Sequence, residues 1–174
     1  EFFNPIYDLG RTHLLVGNQQ KAKKAFKRAI EVNPDFPNSY LKLANMFYEN
    51  EDFDKAIPYY QEVIDLLPNK IGAFTNLSFI YFRKGEYQKS IEVNQKALQN
   101  NPQAVNPRIN LGKTYMRMNN NQNAIRYFEE AFELQPNNLN VAKSLMQLHQ
   151  EQGNNRKANY YKRQARNLSQ QGRR

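Results

Sequence analysis

The sequence predicts an all-α solenoid of five stacked helix-turn-helix hairpins, and three observations predict it. Pro34, Pro68, Pro102 and Pro136 recur at intervals of 34 residues. Leu9, Leu43, Leu77, Leu111 and Leu145 keep the same interval through five successive units. Between the prolines, apolar residues fall at the three- and four-residue spacings of a helix, in two runs per unit. Placing each proline at position 32 of a 34-residue unit gives the repeats 3–36, 37–70, 71–104, 105–138 and 139–172. They form a single array over 3–172, followed by a basic tail at 173–174.

The elements follow in order within each unit. In the second, Tyr40, Leu43 and Phe47 mark the first helix, and Ala56, Tyr60, Val63 and Ile64 the second. Turn-forming residues separate the two helices: Gly17, Glu51-Asp52, Gly85, Asn119 to Asn121 and Gly153-Asn154. The prolines end each second helix, because proline lacks the N–H for the helical ladder and restricts the residue before it. Asn4-Pro5 and Asn106-Pro107 read as a helix cap followed by a first turn. Position 8 holds Gly10, Ala44, Ser78, Gly112 and then Met146, while position 20 holds Ala22, Ala56, Ser90, Ala124 and Ala158. Small residues there allow one helix to approach another. Position 24 supplies a bulky knob in Phe26, Tyr60 and Phe128 but turns polar at Asn94 and Lys162. Since one hairpin cannot bury both its faces, neighbours must stack.

This pattern of small, leucine, aromatic and proline positions closely resembles the tetratricopeptide repeat (TPR) family over almost the whole chain. The resemblance implies a right-handed superhelical arc whose first helices line a concave groove. It further implies a non-enzymatic scaffold or adaptor that holds a partner peptide there and supports assembly of a multiprotein complex. Carried onto this chain, the groove positions are Tyr7, Arg11, Leu14 and Leu15 in the first unit, and Lys42, Asn45 and Tyr48 in the second. Asn76, Phe79, Phe82 and Arg83 follow in the third, then Asn110, Lys113, Met116 and Arg117, and finally Lys143. Amides of this kind can pair with a peptide backbone, Phe79, Phe82 and Met116 can anchor apolar side chains, and the cations suit an acidic partner. The family's clamp for the C-terminal carboxylate of heat-shock chaperones is not matched. From the second unit the chain supplies Leu41, Asn45, Asn76, Asn106 and Asn110, which keeps both amides and lacks all three cations.

Composition excludes other chemistries. The absence of cysteine removes thiol nucleophiles, disulfides and cysteine-held metal. His13 and His149 occupy position 11, where other units carry Phe47, Tyr81 and Tyr115, so both read as packing residues. No catalytic, cofactor-binding or metal-binding constellation stands out. Asn and Gln together number 39 of 174, so a lone amide carries little weight. Glu1 to Leu9 lack the basic start and apolar run of a signal peptide, and no apolar run is long enough to span a bilayer. The expectation is a soluble chain, cytoplasmic or periplasmic. With no initiator Met, it reads as a processed or excised piece.

The formal net charge of +9 is uneven: +7 lies in residues 139 to 174 and +2 in the rest. Arg156, Lys157, Lys162, Arg163 and Arg166 surround an apolar stripe of Ala158, Tyr161, Ala165 and Leu168. Such a helix serves as a soluble end cap. It equally offers a dock for nucleic acid, an anionic membrane surface or an acidic protein. The departures at Ser90, Asn94 and Arg108 predict a junction that is looser or that receives a partner. Exposed end units also allow self-association.

Overall fold

The computed structural model of the protein describes residues 4–171. The outer limits of the first and last predicted repeats, residues 3 and 172, and the basic tail at Arg173 and Arg174 lie outside the described residues. Ten helices and no strand are present among the described residues. They are α1 (Pro5–Leu15), α2 (Gln19–Val32), α3 (Pro37–Glu49), α4 (Phe53–Leu66), α5 (Ile71–Arg83), α6 (Tyr87–Asn100), α7 (Val105–Arg117), α8 (Asn121–Leu134), α9 (Leu139–Glu151) and α10 (Asn155–Gln171). The first helix of every later unit starts one residue after the preceding repeat ends, and α1 alone starts late, at Pro5.

Local chemistry sets these limits. The Asn4 side chain accepts the Tyr7 N–H at 3.0 Å and caps α1, with Pro5 at the first helical position. Asn18, Asn120 and Asn138 cap α2, α8 and α9 in the same manner. The expectation for Asn106-Pro107 is corrected: α7 begins at Val105 after Ala104, so Asn106 lies inside the helix. Pro107 is still tolerated, because a first-turn N–H has no helical acceptor. At the other ends, Pro34, Pro68, Pro102 and Pro136 each stand just beyond the capping residue of α2, α4, α6 and α8.

The turn inside each unit is the same five times. Gly17, Glu51, Gly85, Asn119 and Gly153, again 34 residues apart, all have positive φ, between 55° and 76°. The amide of each bonds the carbonyl three residues back, and the next amide reaches five back, as in Gly85 to Phe82 and Glu86 to Tyr81. This closes the helix end in the left-handed conformation that glycine adopts most easily. A Cβ at Gly85 would meet nothing within 4 Å, so only its backbone conformation is at stake. Gly85→Ala is therefore expected to lower stability by about 1–2 kcal/mol in chemical denaturation.

The chain divides into two compact units, Glu1–Ile80 and Tyr81–Arg174, with the division inside α5. In the first, α1 packs on α2, α2 on α3 and α3 on α4. Phe26, Leu43, Tyr60, Val63 and Phe74 are completely buried. Gly10 explains the small residue at position 8, because a Cβ there would lie 2.6 Å from the Phe26 ring. Leu9 is 52% exposed while Leu43 is fully buried, since no preceding hairpin among the described residues covers it.

In the second unit, α6 packs on α7, α7 on α8, α8 on α9 and α9 on α10. Its main core joins Phe128, Phe132, Val141, Leu145, Leu148 and Tyr161. The predicted departure from packing at α6 is a buried polar seam. Asn94 Nδ2 donates to the Ser90 carbonyl at 2.8 Å, and Ser90 Oγ lies 3.2 Å from Thr114 Oγ1, which donates to the Asn110 carbonyl. Arg108 braces α7 against α8, donating to Glu130 Oε2 at 3.0 Å and to the Ala104 carbonyl at 2.9 Å. Arg108 is thus engaged within the unit rather than offered to a partner.

Candidate functional site

The first compact unit holds a polar site around Tyr60. This residue sits on α4 at the knob position, with α3 on one side and α5 on the other. Its hydroxyl donates to Asn45 Oδ1 at 2.7 Å and accepts from Asn76 Nδ2 at 2.9 Å. Burial holds the phenol above its ordinary pKa, opposed by the Asn76 hydrogen bond, so it remains a donor. One hydroxyl with one proton fixes both amides in opposite senses. Asn45 is left with its NH2 group to donate, and Asn76 with its carbonyl oxygen to accept.

Aromatic rings border this pair. Tyr48 lies 6.2 Å from Tyr60 in an edge contact and 6.0 Å from Phe79, ring centre to ring centre. Phe79 is half-buried, as are Tyr48, Asn45 and Asn76. Toward α1, Arg11, Leu14, Leu15 and Lys42 line a cleft of about 320 Å³. Leu15 is 85% exposed, the most exposed of the large apolar side chains among the described residues. Arg11 is paired with Asp8 at 3.2 Å. Tyr7 is a packing residue, its ring 5.5 Å from Phe26 and 5.1 Å from Phe36.

The second unit carries the remaining candidates. Phe82 contacts Tyr87 at 5.9 Å, and the Arg117 guanidinium lies 6.0 Å from the Phe82 ring. Met116 is half-buried against the core formed by α8, α9 and α10. Asn110 is half-buried, with its carbonyl committed to Thr114. Arg83, Lys113, Arg117 and Lys143 are exposed. Phe79, Phe82 and Met116, read from the sequence as apolar side chains on a solvated face, are only partly exposed, because each already packs against its own unit.

His149 is buried, stacks on Tyr161 at 5.6 Å and lies with Nε2 3.3 Å from Glu129 Oε1, so in the fifth repeat position 11 is a packing position. Among the described residues no group of three His, Cys, Asp or Glu could hold a metal ion. No helix of the described residues is long and apolar enough to cross a membrane. Of the basic residues on α10, Lys157 is paired with Glu129 at 2.8 Å. Tyr60 is the residue of the candidate site that sequence reasoning read only as a packing knob. Its signal was a hydroxyl at the knob position, between an Asn at position 9 of one unit and an Asn at position 6 of the next.

Comparison with known structures supports the fold over nearly the whole chain. The crystal structure of MamA superposes with a TM-score of 0.85 at 21% identity, covering 94% of this chain and 96% of that one. PilF of Pseudomonas aeruginosa gives 0.78 at 21% identity, over 94% of this chain and 75% of that one. YrrB, described as a TPR protein with an unusual peptide-binding site, gives 0.76 at 15% identity, over 94% and 84%. No curated protein sequence matches. The family descriptions of the tetratricopeptide repeat match residues 7–71 and 107–138, and that of the TPR repeat residues 79–119. Together with the helical pairs set by a 34-residue period, these matches show that the chain belongs to the tetratricopeptide repeat family.

Proposed function

We propose that this protein is a non-enzymatic adaptor that holds an extended segment of a partner protein along its first helices and so supports assembly of a complex. The observation that carries the reading is the Tyr60-oriented amide pair: one donor on Asn45 and one acceptor on Asn76. A peptide backbone offers a matching acceptor and donor at every residue, so the pair suits main-chain recognition without dictating sequence. Tyr48 and Phe79 beside it give an apolar side chain somewhere to rest. Leu15 with Lys42 adds an aliphatic surface next to a cation. Lys42, Lys113, Arg117 and Lys143 favour an acidic partner. The peptide-binding site named for YrrB is consistent with this reading.

The test is affinity purification of partners with wild type against an Asn45→Ala/Phe79→Ala variant, with circular dichroism confirming that both fold. Loss of one backbone hydrogen bond and one apolar contact is expected to reduce retention of a genuine partner by at least about tenfold. An unchanged partner list would sink the proposal.

A further inference from the structure

Several cations of this chain lie beside a carboxylate. Arg11 pairs with Asp8, Arg28 with Glu31, Lys55 with Asp52, Lys89 with Glu86 and Arg108 with Glu130. On α10 four cations stand without one. No acidic residue follows Glu151 in the sequence, and Arg156, Lys162, Arg163 and Arg166 form no ion pair among the described residues. All four are exposed. At 100° per residue they fall on one side of the helix, opposite buried Ala158, Tyr161 and Ala165. Lys162, Arg163 and Arg166 converge with Asn159 around a surface depression of about 300 Å³. Tyr160, 51% exposed, flanks the same face.

We infer that the outer face of α10 binds single-stranded nucleic acid. Four unpaired cations so close together repel one another, and an anion supplied from outside relieves that repulsion. The rest of the face selects among anionic partners. The depression has no apolar residue to act as the buried anchor of a protein interface, whereas nucleic-acid interfaces are polar and strongly positive. It also lacks the Leu, Phe or Trp wedge by which an amphipathic helix enters a lipid surface. Asn159 can bond sugar and base edges, and Tyr160 gives an exposed base a ring on which to stack. Lys162 and Arg166, one helical turn apart, are separated by about the distance between successive phosphates of a strand.

The test is fluorescence anisotropy with a labelled uridine oligonucleotide of about 20 residues, titrated at several salt concentrations. Four phosphate contacts predict affinity falling about 50-fold between about 50 and 200 mM salt, and Arg163→Gln/Arg166→Gln should lower the log–log slope by about 1.4. Tyr160→Ala should weaken binding by at least about fivefold. Phe79→Ala, on the peptide surface of the other unit, should leave the titration unchanged, which separates this proposal from the adaptor reading. Absence of binding at about 50 mM salt would overturn it, as would binding indifferent to the double substitution. Equal or tighter binding of polyglutamate would reassign the face to an acidic protein, and of phosphatidylserine vesicles to a membrane. Either result overturns the nucleic-acid proposal.

Discussion

Replacing Phe128 with alanine is expected to lower the stability of the second unit by about 3–5 kcal/mol, read from urea denaturation followed by circular dichroism. The ring is 1% exposed and lies at the centre of the core joining α8, α9 and α10. Its removal leaves a cavity in a site that helices on several sides prevent from collapsing. The same ring determines what can stand on α7. A Cβ at Gly112 would approach Phe128 ring carbons to 2.7 Å, too close for either side to accommodate in a packed core. Gly112→Ala alone is thus expected to destabilise, as overpacking of about 1–3 kcal/mol exceeds the roughly 1 kcal/mol that alanine contributes to a helix. In the Phe128→Ala background the clash is gone, and Gly112→Ala should become neutral or stabilising. Simple additivity of the two substitutions would show that the ring is not what keeps position 112 small.

Pro58→Ala is expected to act in the opposite direction, raising stability by about 1–3 kcal/mol and shifting thermal unfolding upward by several degrees. Pro58 lies inside α4 yet is exposed, so no packing is lost with its ring. It cannot donate to the Asp54 carbonyl one turn back, and its ring crowds that carbonyl. Alanine restores the donor and removes the crowding. An unchanged or lower melting temperature would mean that α4 draws its stability here from something other than its backbone ladder.

The helix limits were legible because they rest on residues whose backbone behaviour is intrinsic. Proline cannot extend a helix, and the turn position demands a left-handed conformation wherever it falls. The stacking core was legible for the same reason, with Leu43, Leu111 and Leu145 fully buried at the position that the period assigns. The Asn106-Pro107 cap failed because the dipeptide fits two registers, cap plus first turn or second plus third helical position, and sequence alone does not choose. The candidate site was only partly readable. Asn45 and Asn76 were placed on the right helices, but Tyr60 stands 15 and 16 residues from them, and its role exists only once three helices meet. Phe79, Phe82 and Met116 sit at positions shared between a surface and a core, and helical spacing does not set how far each side chain turns inward.

The uniform placement of helix limits has a consequence for how such a chain can change length. Repeats two to four enter and leave their two helices at the same positions, and the proline-containing turn between repeats carries no helical hydrogen bond across it. Copying a whole 34-residue segment at one of these turns would leave every later helix limit in register. A segment one residue longer or shorter would rotate all that follows by about 100°. Duplication and deletion of entire repeats therefore preserve the register of this architecture, and its length can evolve in discrete steps of one hairpin.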